Sequence, residues 1–352
     1  MTPPRRRNSR WLTLVVSEWP NSDRCAWKDA CRPGSRLKPG GRASHLAEPS
    51  RDNLERRYGG FLHFLQRTSR LEMNADPAAQ VTPANVEAYV KELTTWVLPV
   101  SVYTYICCVR QIAQLLAPAN DFSWLIEIER DLALFVQPRS KFDRLVFTER
   151  LAEAGLALII EGMESTKSDF SRAIRVRNGL AVALLAVCPI RIKNFAALEI
   201  GTTFKAIDGR WWITLPSTTT KNRRLDERRV PEFLNRYIEI YLTHSRPVLL
   251  RSGSSTNALW ISSRTGGRVP RVPLGNLITK ITVETIGVPV SPHLFRTAAA
   301  STAGTYGGST PHLASALLNH TDPRVTEEHY NRASSIRAGK IYAEITAEFL
   351  RQ

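Results

Sequence analysis

The sequence predicts a mainly α-helical chain with a small antiparallel β-sheet, divided into two domains. Three observations carry this. At 352 residues the chain is long enough for two cores. Apolar residues recur at helical spacing in two blocks, and the charged, Pro-containing segment Gln137–Arg144 lies between them. In the second block, three short strand-like runs gather around Asp208-Gly209, a hairpin signal.

The first 57 residues read as a loose basic arm. Pro33-Gly34 and Pro39-Gly40-Gly41 interrupt it, arginines are scattered through it, and a short helix is expected around Ala26–Cys31. An all-α module follows over residues 58–136. Its first helix carries Tyr58, Phe61, Leu62 and Leu65, and its second is capped by Thr82-Pro83 and uses Val86, Tyr89, Val90 and Leu93. A third helix runs from about Ser101 to Leu116, and a fourth begins near Ser123. Four short helices make a module of a size that folds alone. Lys91 and Arg110 on these helices are candidate phosphate contacts. Residues 137–145 read as a linker, whose Arg139, Lys141 and Arg144 suit a strap along a nucleic-acid backbone.

In the second domain, residues 146–352, Thr148 is expected to cap an amphipathic helix. A long helix from Asp169 to Val187 ends at Cys188-Pro189, and Arg191 opens a short one bearing Phe195 and Leu198. The strand-like runs are Thr202–Ala206, Trp211–Leu215 and Arg228–Val230, with Lys221 in the polar loop between the second and third. Helices return over Pro231–His244 and from Pro273 to about Ile286. Ser291-Pro292 starts another, on which His293 and Arg296, three residues apart, share one face. Gly307-Gly308 breaks it. Pro311 opens the next helix, toward Leu317, Leu318 and His320, and Thr321-Asp322-Pro323 caps one that brings up Tyr330. Two histidines, an arginine and a tyrosine on consecutive short helices suit one anionic group.

Composition narrows the partner. Lys and Arg total 48 against 32 Asp and Glu, a net charge of +16, which favours a polyanion and most simply nucleic acid. The five cysteines show no CxxC or Cys/His ligand spacing, so neither a disulfide framework nor a zinc site is expected, and a reducing cytoplasm fits. Behind Arg5-Arg6-Arg7 the apolar run Trp11–Val16 is too short for a secretory signal, and no membrane span is expected.

In order and context these residues resemble the tyrosine recombinases, the phage-integrase family. The matching elements are Pro189-Ile190-Arg191, Lys221 in a hairpin, His293-Leu294-Phe295-Arg296, Leu318-Asn319-His320 and Glu328-His329-Tyr330. Asn194 and Asn319 stand where the family often has an acid and a glycine. The resemblance implies a two-domain DNA clamp, with a core-binding domain and a catalytic domain ending in a C-terminal helix. It implies site-specific strand exchange through a 3′-phosphotyrosyl intermediate, and a homotetramer on synapsed duplex DNA, with room for an accessory DNA-bending protein. The expected setting is a mobile element in the bacterial cytoplasm, at the nucleoid. Tyr330 is then the nucleophile, Arg191 and Arg296 hold the phosphate, Lys221 is the general acid, His293 assists with the tyrosine proton and His320 donates to the phosphate. No cofactor or metal is expected. A type IB topoisomerase would use similar residues, and a DNA-binding protein without cleavage is the alternative from another class.

Overall fold

The computed structural model describes residues 12–137, 144–220, 222–250, 255–306 and 313–318. The chain divides into two units, Met1–Arg139 and Ser140–Gln352.

The first unit holds five α-helices among its described residues: α1 (Asn21–Cys31), α2 (Glu48–Arg67), α3 (Pro83–Thr94), α4 (Pro99–Leu116) and α5 (Trp124–Leu134). Proline sits in the first turn of α2, α3 and α4, where its missing N–H removes no helix bond. Thr82 caps α3, its hydroxyl accepting from the Asn85 N–H at 3.3 Å. The core is aromatic at its centre: Tyr58 and Phe61 of α2 are fully buried, and Trp19 meets Tyr58 edge to face at 5.1 Å.

The expectation of a loose arm over residues 1–57 is corrected for its described residues. From Leu14 onward the segment belongs to the core, with Leu14, Trp19, Trp27, Ala30, Ala43 and Leu54 all buried. Helix α2 starts ten residues before Tyr58, and α1 spans Asn21–Cys31 rather than Ala26–Cys31 alone. The physical reason is a set of contacts distant in sequence. The Leu14 N–H donates to the Gly59 carbonyl at 3.1 Å. A Cβ on Gly59 would stand 2.1 Å from the Leu14 oxygen, so only glycine permits the approach. Asp23 is buried, accepting from the Tyr58 hydroxyl at 2.8 Å and the Ala78 N–H at 2.7 Å.

The second unit begins with α6 (Thr148–Glu164) and α7 (Asp169–Val187), followed by α8 (Ile192–Ala196). Phe147, not Thr148, occupies the cap position of α6, and the Thr148 N–H donates to the Thr302 hydroxyl at 3.1 Å. Helix α7 is buried at every residue from Gly179 to Ala186, which makes it the central helix of this unit's core. The sheet has order β1-β2-β3 and is antiparallel throughout: β1 (Phe204–Ile207), β2 (Arg210–Leu215) and β3 (Asp226–Arg229). Asp208 and Gly209 both have positive φ, 49° and 72°, as a two-residue hairpin turn requires. The expected helix over Pro231–His244 is a succession instead: a 3₁₀ turn, α9 (Asn235–Ile240), a π turn at Tyr241–Ser245 and α10 (Arg246–Leu249). Then come α11 (Arg271–Ile286), α12 (Pro292–Tyr306) and α13 (Leu313–Leu318). Among the described residues no helix is long and apolar enough to cross a membrane.

Candidate active site

The site grows from the corner after α7. The Cys188 N–H closes on the Leu184 carbonyl at 2.8 Å, and Pro189 cannot extend the helix. Ile190 is buried, so the chain turns with Arg191 at the cap position of α8, half-buried. Asn194, also buried, donates its N–H to the Arg191 carbonyl at 2.8 Å and fixes that turn.

Helix α12 delivers the second guanidinium. Its Leu294 and Phe295 are buried while His293 is exposed. Arg296 is 7% exposed, and its Nη1 donates to the Pro189 carbonyl at 2.6 Å. Its Nη2 donates to the carbonyl of Leu318 at 2.6 Å. One side chain therefore ties α12 to the corner that presents Arg191 and to the end of α13. Leu318 stands two positions before His320. His320 itself, Lys221 and Tyr330 lie outside the described residues.

Two charged neighbours on β3 were not singled out from the sequence. Arg228 and Asp226 form a two-pronged ion pair, Nε to Oδ1 at 2.8 Å and Nη2 to Oδ2 at 2.9 Å, and both are largely buried. Arg228 Nη1 is buried and finds no acceptor among the described residues. The signal was available in part: the run Asp226-Glu227-Arg228-Arg229 alternates on a strand, placing Asp226 and Arg228 on one face.

The electrostatics follow from this gathering. Burial, then the charges of Arg191 and Arg228, push the Arg296 guanidinium down to about 10, with Asp226 opposing. At neutral pH Arg296 stays charged. Burial pushes the Cys188 thiol up to about 12, so it stays protonated and is a packing residue. Arg191, Arg228 and Arg296 set against Asp226 leave an excess of positive charge at one place, which an anion of two or more oxygens would relieve. Among the described residues no cluster of His, Cys, Asp and Glu could hold a metal ion.

No protein-family model matches the chain, and no curated protein matches it. Solved structures do. One is the XerH site-specific recombinase bound to difH substrate in a pre-cleavage complex, at 13% identity and a TM-score of 0.53, covering 82% of this chain and 78% of that one. The chain has the fold of the tyrosine recombinases. XerA recombinase matches at 16% identity over 85% of this chain and 94% of its own, with a TM-score of 0.39. A lambda integrase dimer bound to a COC′ core site matches at 13% identity over 82% and 90%, with a TM-score of 0.42.

Within this tyrosine-recombinase fold, the other expected DNA contacts separate. Lys91 is exposed on α3 and Arg144 is exposed ahead of α6. Arg139 and Lys141 lie outside the described residues. Arg110 is paired within the first unit. Its Nε donates to Glu129 Oε1 at 2.6 Å and its Nη2 to Oε2 at 3.1 Å, with Glu129 buried. That hydrogen bonding raises the Arg110 pKa and commits the side chain to joining α4 to α5.

Proposed function

We propose that the chain is a site-specific DNA recombinase that cuts and rejoins duplex DNA through a 3′-phosphotyrosyl intermediate. The observation that carries this is the convergence of Arg191 and Arg296, from two different helices, with positive charge in excess around them. XerH, whose fold the chain shares, is recorded on its DNA substrate, and duplex DNA is the matching partner for a chain of net charge +16.

In this mechanism the Tyr330 hydroxyl attacks the scissile phosphorus and gives up its proton with help from His293. The phosphorane-like transition state places charge on the non-bridging oxygens, where the guanidiniums of Arg191 and Arg296 donate. The P–O5′ bond breaks as Lys221 protonates the leaving oxygen, and His320 donates to the phosphate. The freed 5′-hydroxyl of a partner strand then attacks the phosphotyrosyl link and restores the phosphodiester without an outside energy source. Exchange between two duplexes calls for a tetramer of the chain, with a Holliday junction as intermediate.

The test uses a nicked suicide duplex carrying a site selected from random duplexes by binding to the parent chain. The parent chain is expected to form an SDS-resistant adduct, and Tyr330→Phe to bind equally and form none. Lys221→Ala should cleave slowly and recover when the 5′-oxygen is replaced by sulfur, which leaves without a proton. Arg191→Ala and Arg296→Ala should not recover. An adduct formed by Tyr330→Phe overturns the assignment of the nucleophile. Resolution of a synthetic Holliday junction separates a recombinase from a relaxing topoisomerase.

A further inference from the structure

The first unit contains a cavity of about 290 Å³ that none of the proposed recombination chemistry uses. It opens among α2, α3 and α4, and its lining divides chemically. One part is cationic, from Arg56 and Arg57 of α2, with His63 beside them. Another is aromatic, from Phe64, Tyr89, Trp96 and Tyr105. Arg57 belongs to both parts: its Cζ lies 3.9 Å over the Tyr105 ring centroid, while its Nε is buried and finds no acceptor among the described residues. A guanidinium held over a ring face keeps its outward Nη donors for an anion.

We propose that this cavity binds a single nucleotide, with the base against the aromatic wall and the phosphate on Arg56 and Arg57. Three features select this class over other small anions. The volume is near the lower end for ligand sites and suits one nucleotide rather than two. Aromatic faces reward a planar ring and are indifferent to which base supplies it. Glu92 also lines the cavity, held in place by Arg67. Its carboxylate only accepts hydrogen bonds. A simple aromatic acid offers it no donor, whereas adenine, guanine and cytosine bring amino groups. The nucleotide can be free, or it can be one extruded from a DNA strand. The proposal stands apart from the recombination chemistry, since every residue it uses lies in the first unit.

The test is calorimetry on the full chain with dAMP, dGMP, dCMP, TMP, inorganic phosphate and benzoate. At least one amino-bearing mononucleotide is expected to bind about tenfold or more tightly than phosphate or benzoate. Gly60→Leu should fill the cavity, because a Cβ there meets Tyr89 Oη at 3.5 Å, an ordinary contact. It should cut nucleotide affinity about tenfold. Arg57→Lys, which keeps the charge but loses the fork, should weaken binding several-fold, and it decides the matter if Gly60→Leu melts early. A duplex carrying 2-aminopurine identifies the source. Fluorescence that rises with the parent chain and not with Gly60→Leu marks an extruded base, and mononucleotide binding without that rise marks a free one. No binding by any mononucleotide, phosphate binding as tight as nucleotide, or affinity unchanged in Arg57→Lys would overturn the proposal. Adduct formation on the suicide duplex is read separately, so failure here leaves the recombinase assignment untouched.

Discussion

Asp23 shows how one residue holds a segment that composition marks as loose. Its carboxylate is buried and receives two hydrogen bonds, from Tyr58 and from the Ala78 N–H. Asp23→Ala would leave both donors without an acceptor, so we expect a loss of about 2–4 kcal/mol in the first unit, measured by urea unfolding. Asp23→Asn keeps an acceptor for the N–H and lets the Tyr58 oxygen accept instead, and should cost much less. Burial raises the Asp23 pKa more than its hydrogen bonds lower it. With the folded pKa above the unfolded 3.8, the ionised group carries a cost at neutral pH that fades as pH falls through the folded value toward 3.8. The stability of Asp23→Asn relative to the parent should therefore be greatest near neutrality and shrink on acidification. A relative stability that grows on acidification would mean that hydrogen bonding outweighs burial. At the candidate active site, Asp226 is the carboxylate that opposes the repulsion among Arg191, Arg228 and Arg296. Asp226→Asn should free Arg228 and lower thermal stability, and added vanadate or phosphate should restore more of the midpoint in the variant than in the parent.

Elements meet where small residues allow it. Helices α6 and α7 cross at Gly155 and Gly179. A Cβ on Gly155 would fall 2.5 Å from the Ala183 nitrogen, and one on Gly179 would fall 2.5 Å from the Gly155 oxygen. These contacts are backbone, which cannot swing aside. Alanine at either site should destabilise the second unit by about 1–3 kcal/mol or more despite its better helix propensity, as a calorimetric melt would register. Gly60→Ala in α2 is the control, with only an ordinary contact to Tyr89 Oη at 3.5 Å from its Cβ, and should be neutral or stabilising. In the sheet, the Asp208-Gly209 turn sets the β1–β2 register that pairs Ile207 with Arg210. The hairpin was legible because positive φ at two adjacent positions selects Asp-Gly. The break of the helix after Pro231 was not, because the π turn seats Tyr241 so that its hydroxyl donates to the Leu259 carbonyl at 2.6 Å, a partner far along the chain.

At the scale of the whole molecule, charge and assembly carry the expectations. With a net charge of +16 and phosphate contacts as the proposed interface, duplex affinity should fall log-linearly with salt, each neutralised phosphate adding about 0.9 to the slope. A flat dependence in a filter-binding or anisotropy titration would contradict duplex DNA as the partner. The segment after Tyr330 places Ile336, Ile341, Tyr342, Ile345 and Phe349 at helical spacing, and lies outside the described residues. We expect it to dock on a neighbouring protomer. Deleting residues 338–352 should spare binding by one protomer and abolish cooperative assembly on DNA, as seen by mobility shift.

What the sequence determined by itself was local: where helices begin and end at Thr82-Pro83, Cys188-Pro189 and Ser291-Pro292, the turn at Asp208-Gly209, and the identity and order of Arg191, His293 and Arg296. Each is dictated by backbone sterics, capping or periodicity within a few residues, so it can be read without knowing the fold. Tertiary structure decided what depends on residues far apart. It drew the segment from Leu14 to Leu54 into the core through Gly59, Tyr58 and Ala78. It spent Arg110 on Glu129. It also set Asp226 and Arg228 beside Arg296, whose hydrogen bonds reach 107 residues back to Pro189 and 22 forward to Leu318. An ion pair or a buried carbonyl acquires its partner only when the chain is packed, and no periodicity announces it.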